Sequence, residues 1–151
     1  MTGGTDDLLI GWASRDVTPY GKKVDLAGQF HMRITEEVHD PVTVTALALS
    51  TGNTTEKSVV FVSCDTVGIS DQLVRECEAK IAAKVEDFPT GSLVLNATHT
   101  HAAPAARVGI FGYEALPTEL KRNLLVPEEY RFFLSEKIAE AAIESWNNRK
   151  K

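Results

Sequence analysis

Two cysteines in 151 residues, Cys64 and Cys77, are too few for a disulfide framework, and they lack the close spacing of a thiolate metal site. They read as two buried reduced thiols. No apolar run approaches the roughly eighteen residues of a transmembrane helix. Basic residues are also in the minority, 16 against 21 acidic, which leaves a formal charge of -5 and no overall field to draw the chain to nucleic acid or an anionic bilayer. The start, residues 1 to 6, is polar and glycine-rich and reads as a frayed end. It has no basic stretch followed by an apolar one, so no secretory signal is expected and a cytoplasmic setting is the default. What is present is 43% hydrophobic residues, enough for one sizeable core and a single α/β unit.

The pattern is clearest in the middle of the chain. Residues 8 to 17 suggest a strand, followed by the turn signal Thr18-Pro19-Tyr20-Gly21. Residues 22 to 37 have no clean period and read as a loop, with room for a short strand. Residues 42 to 50 alternate with period two and predict a strand. Residues 51 to 57 form a polar connection. Ser58 to Ser63 is nearly all apolar and β-branched, the signature of a strand covered on both faces. Ser70 caps a helix with apolar positions Leu73, Val74, Cys77, Ile81 and Val85, closed by Pro89 and Gly91. Another strand, 92 to 97, completes a βαβ unit with parallel strands. The fold class expected is therefore a mixed α/β sheet with a parallel βαβ unit and helices packed against it. Residues 102 to 127 read as a long loop, and long loops often bind something. Pro127 and two glutamates then open a helix carrying Tyr130, Phe133, Leu134, Ile138, Ala141, Ala142 and Trp146.

Chemistry starts from His99 and His101. If residues 98 to 101 are extended, the two side chains share one face with Cα atoms roughly 6 to 7 Å apart. They can then converge on one ion, or one can bind metal while the other meets water or substrate. Zinc suits imidazole. The alternative is a pair of partly exposed histidines held by local hydrogen bonds. The pair ends an apolar strand, where parallel sheets open their binding crevice. Asp65 ends the preceding strand and either accepts a hydrogen bond from a ligand histidine or caps the turn ahead of Ser70. Arg15 could hold a substrate polar group or make an internal salt bridge. Asn96 and Arg107 flank the histidines and either polarise a carbonyl or tie down the loop. His39 and Asp40, before Pro41, set the entry to a strand and stand at the rim of any site. Phe111, Tyr113, Leu116 and Leu120 line a channel or cover the sheet.

These residues fall in a recognisable order. Asn96-Ala97-Thr98-His99-Thr100-His101-Ala102-Ala103-Pro104 resembles the strand followed by T-H-T-H-S-G-P in the neutral or alkaline non-lysosomal ceramidases. Gly11 to Pro19 is similar to that family's G-x-x-x-x-D-I-T-P, Leu26-Ala27-Gly28 to its L-A-G-Y, Val38-His39-Asp40-Pro41 to its V-H-D-P-L, and Val62-Ser63-Cys64-Asp65 to its V-S-x-D. The resemblance implies that residues 1 to 151 are the amino-terminal portion of a ceramidase-like, metal-dependent hydrolase domain, incomplete relative to the full family domain. It implies a zinc cofactor with His99 as ligand, and His101 beside the metal in contact with the reacting group. It implies hydrolysis of a lipid-like or other linear amide through metal-activated water. The remaining ligands in the family, a histidine, a glutamate and a tyrosine, come from further along a longer chain and have no counterpart after Trp146. Weak zinc binding and little turnover follow, with the missing carboxy-terminal part or another copy of the chain as the expected partner. Family members are often secreted, against the cytoplasmic default. Ala102 and Ala103 replace the usual serine and glycine, and Gln29 stands where tyrosine is common.

Overall fold

Alternation sorts each long strand into a face for the core and a face for the outside. In the computed structural model, which describes residues 7–52, 55–107 and 116–151, the chain runs β1 (Leu8–Asp16), β2 (Val24–Asp25), β3 (Ile34–Thr35), β4 (Thr43–Thr51), β5 (Ser58–Cys64), α1 (Asp71–Ala82), β6 (Leu93–Ala97), α2 (Thr118–Lys121) and α3 (Pro127–Asn147). The main sheet has the order β1-β4-β5-β6, with β2 and β3 paired in a small ribbon of their own. β4 is antiparallel to both β1 and β5, whereas β5 and β6 are parallel, joined through α1 as the βαβ pattern predicts. The short α2 lies in the stretch expected to be loop.

Val44, Ala46 and Ala48 of β4 and Val60, Val62 and Cys64 of β5 point to one side, where they are buried under α1 and α3. Leu73, Cys77 and Ile81 come down from α1, and Leu134, Ile138 and Ala142 from α3. Ser70 caps α1 as expected, its hydroxyl accepting from the Leu73 amide at 3.2 Å. Pro127 occupies the first turn of α3, where its missing amide hydrogen costs nothing, and Glu128 and Glu129 face the positive end of the helix. The Tyr130 hydroxyl donates to the Val17 carbonyl at 3.1 Å and ties the end of the first strand to this helix.

The opposite face of the sheet corrects the expectation that β5 is covered twice. Ile10, Trp12, Leu47, Phe61 and Val94 all point outward and are exposed, Trp12 at 68% and Phe61 at 41%. The reason is topological: α1 and α3 both pack on the other side. An exposed apolar sheet face of this kind is a liability in a monomer.

Cys64 and Cys77 are free, buried thiols, as the sequence suggests. Burial, helped by the neighbouring Asp65 carboxylate, pushes the Cys64 thiol up to about 12, and burial raises Cys77 as well. Because the thiolate is the nucleophile, neither residue should react with a disulfide reagent at neutral pH until the fold opens. Rapid labelling of the folded protein would contradict this.

Candidate metal centre

The parallel strands β5 and β6 end side by side, with Cys64 opposite Ala97. Their pairing continues irregularly: the Thr98 amide donates to the Cys64 carbonyl at 2.9 Å and the His99 amide to the Thr66 carbonyl at 3.1 Å. Residues 98 to 101 are not extended, contrary to the expectation. His99 lies in the left-handed region at φ 62°, a conformation that histidine tolerates better than most residues. The imidazoles nevertheless converge, because the chain turns at His99 and brings His101 round to it. Their ring centroids are 5.0 Å apart in an edge-to-face arrangement at 70°, and the two Nε2 atoms are 3.4 Å apart. Both residues are exposed at the sheet edge.

Hydrogen-bond partners assign the protons. His99 Nδ1 is 2.6 Å from the Val67 carbonyl, which can only accept, so Nδ1 carries a hydrogen and, in the neutral ring, Nε2 presents a lone pair. His101 Nε2 can donate to that lone pair. Its Nδ1 then accepts from the Gln29 side-chain amide at 3.4 Å. A glutamine can also turn its oxygen towards Nδ1, so the residue standing where tyrosine is common supports either tautomer of His101.

The other expected site residues divide. Asp65 does emerge on the same edge, but neither of its oxygens serves a histidine: Oδ2 accepts from the Thr43 amide and hydroxyl at 2.9 and 3.0 Å, and Oδ1 from the Thr98 hydroxyl at 3.2 Å. The carbonyl of Val67 takes the part expected of Asp65, since the backbone after β5 reaches Nδ1 first. Arg15 points to α3, where it pairs with Glu140 and Glu144; these acceptors hold its guanidinium away from the histidines. Asn96 lies on the exposed face of β6, in register with Ser63. Arg107 is exposed and lines a cavity of about 240 Å³ beside Gly28, Gln29 and Val67. His39 is fully exposed, 3.7 Å from Asp40, and both border a cavity of about 610 Å³ that also meets Asp65, Thr100 and Ala102. Pro104 is buried and bridged to Leu26. Phe111 and Tyr113 lie outside the described residues.

Sequence reasoning missed the support under His101. Leu26 and Pro104 form an antiparallel bridge, flanked by hydrogen bonds from the Ala27 amide to the Ala103 carbonyl at 3.0 Å and from the Ala105 amide to the Asp25 carbonyl at 2.8 Å. Arg33 donates to the carbonyls of His101 and Ala27, and its own amide donates to the Asp25 carboxylate at 3.0 Å. Burial holds the Asp25 carboxyl above its ordinary range. Only the Leu26-Ala27-Gly28 motif hinted at this, since residues so far apart in sequence carry no shared period.

The donor set fits part of a zinc shell. Zinc sits about 2.0 to 2.1 Å from an imidazole nitrogen, so an ion held by His99 Nε2 would have His101 Nε2, 3.4 Å from that nitrogen, at its side. The His99 Nδ1 contact to a carbonyl is also the arrangement that orients ligand imidazoles. Among the described residues no group of three or more histidine, cysteine, aspartate or glutamate side chains is placed to hold a metal, so the described residues fall short of the three or four ligands usual for zinc.

No protein-family model matches the chain, and no curated protein does. Solved structures do. The neutral ceramidase of Pseudomonas aeruginosa superposes with a TM-score of 0.74 at 17% identity over 95% of this chain, and a ceramidase complexed with C2 with a TM-score of 0.72, also at 17% identity over 95%. The chain spans 22% of the length of each. Its fold thus resembles one part of the ceramidase fold at low identity, with the parallel strand pair and packed helices in common with the expectation.

Proposed function

We propose that the chain contributes the His99 and His101 end of a ceramidase-like, zinc-dependent amide hydrolase site, and that alone it turns over little. The observation carrying this reading is the pair of Nε2 atoms 3.4 Å apart, with His99 held by the Val67 carbonyl so that its lone pair faces His101. His99 would hold the ion. A bound zinc would act as a Lewis acid and make a water acidic enough to attack a carbonyl near neutral pH. His101, which can bear a proton on Nε2, is placed to hydrogen-bond the reacting group, and Gln29 adjusts to whichever tautomer that requires. The cavity of about 610 Å³ beside Thr100 and Ala102 has the size of a small-molecule site; neither histidine lines it, and its walls mix Val24, Leu26 and Val38 with Lys22, Glu36 and Glu37.

A simple aliphatic hydroxamate, which joins an amide-like carbonyl to a metal-chelating oxygen, tests the reading without requiring turnover. It should bind only when zinc is supplied, and not to H99A. Binding that is equal without zinc, or unchanged in H99A, would sink the assignment.

The exposed face around Trp12 and Phe61 supports a second element of the reading, that the unit works packed against more protein, either the remainder of a longer hydrolase or another copy. For the chain by itself, sedimentation should show concentration-dependent association that Phe61→Lys reverses, because a charge there cannot be desolvated cheaply. Association unchanged by F61K would exclude the sheet face as its cause.

A further inference from the structure

The imidazole of His101 lies over the α-carbon of Gly28, and this explains why a glycine ends the Leu26-Ala27-Gly28 motif. A Cβ built on Gly28 would stand 2.5 Å from Cγ, 2.7 Å from Cδ2 and 2.8 Å from Nδ1 of His101, closer than real atoms pack. The backbone there is also in the left-handed region, at φ 93°. The bridge between Leu26 and Pro104 and the Arg33 contacts to the Ala27 and His101 carbonyls fix the two segments against one another, so neither can slide to make room. His101 is thereby confined by Gly28 beneath, Gln29 at Nδ1 and His99 at Nε2.

We propose that Gly28 is a positioning residue, whose missing side chain is the seat that holds His101 facing His99. Its importance for metal and substrate rests on the function proposed above; the seat itself does not. With a methyl group at residue 28 the ring must swing off the seat, and both 3.4 Å contacts of the ring are lost together.

Gly21 provides the control. It too is left-handed, at φ 69°, yet a Cβ there would meet nothing within 4 Å. G28A and G21A therefore impose the same kind of backbone strain, and only G28A disturbs a neighbour. The experiment is proton NMR on the metal-free wild type and on each variant, reading the cross-relaxation between the His99 and His101 rings. The ring-to-ring signal should vanish in G28A and persist in G21A. A signal that persists in G28A, or is lost equally in G21A, overturns the proposal. Should G28A fail to fold, the wild type decides: strong cross-relaxation between the Gly28 α-protons and the His101 ring is required, and its absence overturns the seat. If wild type binds no zinc, the proposed function fails, while the ring signals still decide the role of Gly28.

Discussion

Gly11→Ala is expected to destabilise the fold by about 3 kcal/mol or more, at the upper end of what overpacking costs. A Cβ on Gly11 would overlap the carbonyl oxygen of Ser145 and stand 2.8 Å from the amide nitrogen and 3.1 Å from the α-carbon of Arg149. All three are backbone atoms at the end of α3, so no side-chain rotation can relieve the clash. The strand would have to move away from the helix, and the paired hydrogen bonds between Ile10 and Lys150, at 2.8 and 3.0 Å, would go with it. Against a total stability of about 5–15 kcal/mol, that loss is large enough to depopulate the native state in mild denaturant. Urea unfolding measures it as a lower midpoint with an unchanged slope. Gly91→Ala is the companion, since a Cβ there meets nothing within 4 Å and should cost little. Equal midpoints for G11A and G91A would show that β1 and α3 are not packed as described.

His99→Ala should reduce zinc affinity by more than the roughly 10- to 100-fold that follows when a hydrogen-bonding partner of a ligand is removed. The substitution deletes the imidazole that the Val67 carbonyl orients. His99 is exposed, but alanine at φ 62° loses the Val67 contact, so folding stability should fall by about 1 kcal/mol, small enough for the loss of binding to be read on folded protein. Calorimetric titration of zinc into both proteins checks this. Equal affinities would remove His99 from the site.

Much of the scaffold is legible in the residues because its signals are local. The alternation of residues 43–51, the β-branched run that becomes β5, the Ser70 cap and the Pro127 start each act within a few residues, and all four appear in place. The histidine pair is expected to converge from an extended segment, whereas the left-handed turn at His99 brings the two rings together. What the sequence hides is long-range or backbone-borne. The partner of His99 Nδ1 is a carbonyl, and every residue has one, so nothing in the side chains marks Val67. Of the two roles open to Arg15 the internal salt bridge is the one formed, but its partners Glu140 and Glu144 come with α3 from over a hundred residues away. Asp65 looks like a partner for histidine, yet the antiparallel neighbour β4 supplies Thr43 first. The outward face of β5 reads as core because Val59 and Phe61 are apolar, whereas both helices chose the other side.

The chain's four histidines allow one direct test. In long-range nitrogen–proton spectra recorded during a zinc titration, the ring signals of His99 and His101 should move together at substoichiometric metal, with His99 beginning as the Nδ1–H tautomer. Those of His31 and His39 should stay still. Ring signals that shift alike in all four residues, or that leave His99 and His101 unmoved, would contradict a shared site at the end of β6.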